Sequence, residues 1–304
     1  MERRGRPLST LVVGATCISF APILVKVLMR GGIGPTAIGF WRCAIGTVVL
    51  AGLAVARGSS LRLPGRAAWF AAAAGVVFFA DLAVWHRAIR DAGAGLATIL
   101  GNMQVFLTAL LSWWLFRERI GVRFALAAVA AIAGVVLLVG VGSGVQWSGA
   151  YLRGIGLGLL TALLYATFLL AMRASGGATG GGSTLAVMTW MSAFATVPLG
   201  LSTLVEGGPA VPVGWLAWSA VFGLAVLAQS LGWWSISRAL PRVPGATAGL
   251  LLLLQPVLAT VWGAVLFDET LSWLQAIGAA VTLAAIYAGS RRPASSARTM
   301  KSPA

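Results

Sequence analysis

A single carboxylate stands deep inside a long apolar stretch of the sequence. Asp81 lies within the stretch Ala67–Ala88, whereas the other acidic residues fall in the termini or at the edges of apolar stretches. A charged side chain is costly in an apolar helix, so it usually faces a cavity or a partner and often carries ions, protons or substrate charge. Asp81 is therefore a candidate for a solute or proton pathway. The alternative is a structural ion pair with Arg42 or Lys26.

Aromatic side chains and a histidine accompany this carboxylate. Trp85 follows Asp81 by four residues and shares its helical face, and Trp233 occupies the corresponding apolar stretch later in the chain. Aromatic faces beside scarce polar groups suit an amphipathic or cationic solute, although most of the 13 tryptophans must be interface anchors or packing residues. His86 could exchange protons near neutral pH. A packing or surface role is the alternative for His86.

Uncharged polar side chains form a third group of candidates. They lie inside apolar stretches, where an unpaired polar group is costly and must find a partner. Two of the glutamines are equivalent in the internal repeat described below, which fits a shared central site, but hydrogen bonds between helices explain them equally well. The group consists of Asn102, Gln104, Tyr165, Gln229 and Gln255.

The elements that position these residues follow from composition. The chain is 59% hydrophobic and 10% charged, far outside the range of soluble domains. Its apolar stretches are near the length that crosses about 30 Å of hydrocarbon, and they are continuous rather than alternating, which predicts helices. We therefore expect an all-α polytopic membrane protein with ten transmembrane helices. The predicted spans are Leu8–Met29, Pro35–Ala56, Ala67–Ala88, Gly93–Phe116, Gly121–Val141, Gly154–Met172, Thr184–Leu204, Trp215–Ile236, Gly245–Phe267 and Trp273–Gly289.

The net charge of +15 is explained by topology rather than by nucleic acid. With ten spans, both termini share one side of the membrane, and that side receives 16 of the 22 Lys and Arg residues. The positive-inside rule then predicts cytoplasmic termini in a multi-pass protein of the cell inner membrane. The 16 residues are Arg3, Arg4, Arg6, Arg57, Arg62, Arg66, Arg117, Arg119, Arg123, Arg173, Arg238, Arg242, Arg291, Arg292, Arg298 and Lys301.

Metal and nucleotide chemistry are not indicated. Cys17 and Cys43 both sit inside apolar spans, and with a single histidine they cannot build a four-ligand metal site or a disulfide framework. The glycine-rich stretch 176–182 lacks the lysine and hydroxyl residue of a phosphate loop. We expect no cofactor, no metal and no catalytic residue.

The chain repeats itself at an offset of 151 residues. Gln104 falls on Gln255 and Glu118 on Glu269, with no gap between them. Each copy holds five spans, and an odd number forces the copies to cross the membrane in opposite directions. Such an inverted repeat is typical of secondary transporters, whose substrate site lies between the halves near the membrane midplane.

The residues that end each repeat resemble a known family. Gln255-Pro256, the stretch ending in Asp268-Glu269, and then Gln275 and Gly278 are similar to the pattern of the EamA-type ten-helix transporters of the drug/metabolite transporter superfamily. The first copy keeps Glu118 and Gly134 but has Val105 where the family has proline. The resemblance implies EamA-like repeats at 9–141 and 154–289, followed by a cytoplasmic basic tail at 290–304. It also implies a cavity lined by spans one, three, four, six, eight and nine.

Function follows from these observations as an expectation. The repeat and the family resemblance predict a secondary transporter that moves a small organic solute (an amino acid, an amine or a related metabolite) by alternating access, with export favoured. Glu118 and Glu269, at span ends, are expected to cap helices or bond loops. A membrane enzyme acting on a lipid-linked substrate, or a channel-like subunit, is the alternative. The sequence leaves open the solute, proton coupling and the oligomeric state.

Overall fold

The structure is a computed structural model that describes residues 2–116, 122–140, 146–178, 184–239, 252 and 254–290. All regular elements within these ranges are helical, which confirms the all-α prediction. The elements are α1 (Glu2–Ser19), α2 (Ala21–Arg30), α3 (Pro35–Ala56), α4 (Gly65–Ala92), α5 (Ala94–Asn102), α6 (Gln104–Phe116), α7 (Val122–Leu138), α8 (Gly149–Ala178), α9 (Thr184–Glu206), α10 (Gly214–Gly223), a π-helical segment (Leu224–Gly232), α11 (Trp233–Ala239), α12 (Leu254–Phe267) and α13 (Trp273–Ser290).

These helices account for the ten predicted spans. Among the described residues, six helical segments are long and apolar enough to cross a membrane, and four shorter apolar helices accompany them. The first part of the ninth predicted span, Glu118 and the tail beyond Ser290 lie outside the described ranges. The polytopic membrane architecture is therefore confirmed.

Three predicted spans contain an irregularity near their middle, and the sequence indicates only some of these irregularities. The first span divides at Phe20, because Pro22 in the first turn of α2 cannot donate a backbone hydrogen bond to Ile18. The fourth span divides at Met103, between α5 and α6. The eighth contains the π-helical segment, a widened turn that is frequent at functional sites. Interrupted helices at the midplane are the usual place for a transporter site.

The principal helix contacts each join a helix of one repeat to a helix of the other. In the repeat, α3 corresponds to α9, α7 to α13, α4 to the eighth span and α8 to the first span. Accordingly α3 contacts α9, α7 contacts α13, α4 contacts α8, and α1 contacts the π-helical segment and α11. The last two contacts are equivalent: in each, the third span of one repeat packs against the first span of the other repeat. The packing therefore agrees with two five-helix repeats related by a pseudo-two-fold axis.

One end of the bundle, which we call the Glu269 end, is fastened by charged side chains. Glu269 accepts backbone hydrogen bonds from Ala94 (3.0 Å) and Gly95 (3.3 Å) at the start of α5, and it forms an ion pair with Lys26. The preceding Gly93 has φ of 90°, a conformation that favours glycine. Glu269 thus joins α2, α5 and the loop after α12, and its predicted capping role is confirmed.

Further polar links lie at the same end. Arg87 forms an ion pair with Glu206 at 2.7 Å, and the Thr36 hydroxyl donates to the same carboxylate at 2.8 Å. Asp91 pairs with Arg153 at 2.7 Å across α4 and α8. These contacts join helices of both repeats at this end of the bundle.

Candidate functional site

A cavity of about 70 Å³ lies where the interrupted helices meet. It is lined by the six spans that the family resemblance implied, and in addition by the second span through Arg42. The lining residues are Ile18, Ser19, Ala21, Pro22, Arg42, Phe78, Asp81, Leu82, Trp85, Thr98, Gly101, Asn102, Thr161, Tyr165, Trp233 and Gln255.

Asp81 and Trp85 lie side by side on the wall that α4 contributes. Their spacing of four residues places both on one helical face, as the sequence predicted, and that face looks into the cavity. Asp81 is 7% exposed, and its Oδ1 atom is buried without a hydrogen-bond partner in the described part of the chain. Lys26, one of its two suggested partners, is paired with Glu269 instead.

Arg42, the other suggested partner, is held from behind by a chain of hydrogen bonds. Its Nε donates to Gln229 Oε1 at 2.8 Å, and Gln229 Nε2 donates to Ser192 Oγ at 2.8 Å. The guanidinium carbon lies 5.6 Å from the centre of the Phe78 ring. Its Nη1 atom is buried with no hydrogen-bond partner, and neither Arg42 nor Asp81 belongs to an ion pair within the described ranges.

The opposite wall is aromatic. Trp233 meets Tyr165 edge to face, with ring centres 5.9 Å apart, and meets Phe168 in the same way at 5.6 Å. The indole Nε1 of Trp233 and the hydroxyl of Thr161 are also buried without hydrogen-bond partners among the described residues. Both residues line the cavity.

Four unpaired polar atoms therefore belong to residues around one small space. A buried polar group without a partner costs about 1–3 kcal/mol, and more if it is charged. Membrane proteins keep such groups where they serve an ion, a proton or a substrate. The four are a carboxylate oxygen, a guanidinium nitrogen, an indole N–H and a hydroxyl, so the space offers both hydrogen-bond donors and acceptors.

Six of the nine candidates from the sequence line this cavity: Asp81, Trp85, Asn102, Tyr165, Trp233 and Gln255. Gln229 does not line the cavity but accepts a hydrogen bond from Arg42, which does. His86 is fully buried elsewhere, with Nδ1 2.9 Å from the Pro35 carbonyl oxygen. Gln104 accepts a hydrogen bond from Thr108 in its own helix at 3.0 Å. Gln104 and Gln255 therefore do not form the shared central site considered from the repeat.

Sequence reasoning ranked Arg42 too low. An arginine inside an apolar span carries the same signal as Asp81, but the second span was not expected at the cavity. Thr161 and Thr98 carry no such signal, because threonine in an apolar helix usually bonds its own backbone. Thr98 does so, donating to the Ala94 carbonyl at 2.7 Å, while Thr161 has no hydrogen-bond partner in the described structure.

The fold defines a class of protein: a multi-pass membrane protein built from two repeats, the architecture of many secondary transporters. Comparison with known families agrees with this. The EamA-like transporter family matches residues 6–140 and 152–290, so the chain belongs to that family and to the drug/metabolite transporter superfamily.

Individual relatives extend the comparison. The chain is 32% identical over 214 residues to an uncharacterized protein of Pseudomonas aeruginosa, covering 69% of this chain and 68% of that one. It is 28% identical over 284 residues to the threonine/homoserine exporter RhtA of Salmonella typhimurium, covering 92% and 89% of the two chains. A protein crystal structure superposes with a TM-score of 0.65 at 22% identity, over 92% of this chain and 98% of that one, which supports the fold.

Proposed function

We propose that this protein is a secondary exporter of a small organic solute: an amino acid, an amine or a related metabolite. The observation that carries the proposal is the cavity between the repeats, where a carboxylate and a guanidinium nitrogen are buried without partners. The similarity to a threonine/homoserine exporter supports export and this solute class. Family and relative both point to transport, so we assign the chain no enzymatic reaction.

Alternating access is the proposed mechanism. Repeats at 9–141 and 154–289 would rock about the cavity, whose interrupted helices are suited to such movement. We place both termini and the tail at 290–304 in the cytoplasm, because basic residues concentrate on that side. The Glu269 end would then face outward. Its ion pairs, linking both repeats, would keep the cavity shut on that side until the solute is released.

Proton exchange at Asp81 is the proposed source of coupling. A carboxylate that takes a proton from outside can release a cationic group bound to it, so proton uptake and solute release become alternatives at one site. Arg42 and Tyr165 line the same cavity and are the titratable side chains that share it with Asp81. No comparable arrangement surrounds His86, which does not line the cavity.

Counterflow in proteoliposomes tests the proposal. Purified protein should exchange a labelled solute from a panel of amino acids and amines, saturably and faster when the unlabelled solute is inside. An imposed pH gradient should drive accumulation, and Asp81→Asn should remove that drive while exchange persists at high solute concentration. Asp268→Asn, outside the cavity and in no ion pair among the described residues, is the matched control. Non-saturable flux would indicate a channel, and no exchange across the panel would reject the transporter assignment.

A further inference from the structure

The cavity offers its unpaired groups with opposite charges on facing helices. Asp81 lies on α4 and Arg42 on α3, and neither joins an ion pair in the described structure. A cavity built for an amine would need the carboxylate alone, and one built for a carboxylic acid would need the guanidinium alone. Burying both, each with an unpaired atom, suits a ligand that carries both charges.

Arg42 is oriented for an anionic group. Its Nε is occupied by Gln229, which is itself held by Ser192, so the guanidinium is fixed on one edge while Nη1 stays unpaired. A planar guanidinium matches the geometry of a carboxylate. Because the supporting amide and hydroxyl are neutral, they leave the positive charge of Arg42 available to the ligand.

Asp81 and Trp85 provide the complementary environment for a cation. An ammonium group binds well to a carboxylate and to the face of an indole ring, and here the two lie on one helical face of the cavity wall. The aromatic side chains of Trp233 and Tyr165 line the same cavity.

We propose that the solute is a small α-amino acid, bound as a zwitterion with its carboxylate on Arg42 and its ammonium group on Asp81. The indole N–H of Trp233 and the hydroxyl of Thr161 are available to the remaining carboxylate oxygen or to a side-chain hydroxyl. This inference rests on the proposed transport function and narrows the solute from organic molecules in general to one charge pattern.

A matched set of three ligands tests the charge pattern. Competition against labelled L-threonine, with purified protein, compares L-threonine with its methyl ester, which lacks the carboxylate charge, and with N-acetyl-L-threonine, which lacks the ammonium charge. The wild-type protein should bind both derivatives about tenfold or more weakly than L-threonine, the factor expected for losing one charge-assisted hydrogen bond.

Substitutions assign each charge to its residue. Arg42→Gln should weaken L-threonine but not its ester, and Asp81→Asn should weaken L-threonine but not the N-acetyl derivative. Arg42→Lys, which keeps the charge and loses the planar fork, should fall between. Arg57→Gln, next to the end of α3, and Asp268→Asn, in the loop after α12, are the matched controls, and thermal melting verifies that each variant folds.

The outcomes test the zwitterion assignment separately from the proposed exporter function. If the ester or the N-acetyl derivative binds wild type as tightly as L-threonine, or if Arg42→Gln and Arg42→Lys weaken all three ligands equally, the zwitterion assignment is wrong. Exchange of amines without amino acids in the counterflow panel would likewise overturn it while leaving the exporter proposal intact. Failure of every solute in that panel rejects the exporter itself.

Discussion

The central cavity and the Glu269 end both contain charged groups, but the hydrogen bonding of these groups differs. At the Glu269 end, Lys26, Glu269 and the first amides of α5 are bonded to one another, and Asp91 is paired with Arg153. In the cavity, Asp81 and Arg42 each keep a buried atom without a partner.

This difference distinguishes two uses of polar groups in an apolar protein. A charge whose hydrogen bonds are complete stabilises one arrangement of helices, and removing one partner exposes the cost of burying the other. A charge left incomplete lowers stability until a ligand completes its hydrogen bonds. Substitutions at the Glu269 end should therefore change stability, and substitutions in the cavity should change affinity for the solute.

The largest effect is expected from Glu269→Ala. This change removes the cap of α5 and leaves Lys26 without its partner, so we expect a loss of about 2–4 kcal/mol in the free energy of unfolding. Thermal melting of the purified protein and its folded yield measure the loss. Asp268→Asn is the matched control, because Asp268 joins no ion pair among the described residues and asparagine tolerates its φ of 55°. Unchanged melting of Glu269→Ala would contradict the structural reading of this end.

A smaller effect, on affinity, is expected from Gln229→Leu. The substitution frees Arg42 Nε and lets the guanidinium turn away from the cavity, so the half-saturation concentration for transport should rise about tenfold, equivalent to about 1.4 kcal/mol. Ser192→Ala removes only the hydrogen bond that supports Gln229, so it should raise the half-saturation concentration by a smaller factor. Gln229 is thus a positioning residue. A fall in maximal rate or melting temperature with unchanged half-saturation would assign it to packing instead.

The membrane architecture was predictable because it depends on quantities that the sequence carries directly. Lengths of apolar stretches give the helices, and five spans per repeat give the inversion. The site was predictable only where a residue was scarce for its surroundings: Asp81 stands out in an apolar span for that reason. The superposition of the two repeats at the stated bounds stays a prediction.

The other features of the site could not be predicted, because they depend on which face of each helix packs against which neighbour. Arg42 and Thr161 reach the cavity because of the way α3 and α8 pack, and no spacing in the sequence specifies that contact. Gln104 has the same residue type and repeat position as Gln255, yet it bonds Thr108 while Gln255 lines the cavity. Met103 directly precedes Gln104 at the start of α6, and Gln255 is the second residue of α12, beside Pro256.

The smallest effect is expected from His86, and it sharpens the comparison because His86 was a sequence candidate for proton exchange. The imidazole is fully buried, and since a carbonyl oxygen can only accept, Nδ1 must donate its hydrogen to Pro35. The ring contacts Trp85 at 5.5 Å between ring centres but does not line the cavity.

In His86→Asn, the amide nitrogen can take the place of Nδ1 and keep the bond to Pro35. We therefore expect a loss of about 1 kcal/mol in stability from the smaller side chain, as for an ordinary core substitution. Half-saturation and the response to a pH gradient should stay within about twofold of wild type. Counterflow and gradient-driven uptake measure both, beside Asp81→Asn. If His86→Asn lost the pH response and Asp81→Asn kept it, the proton pathway would run through His86 rather than through the cavity, and Asp81 would not be the proton carrier.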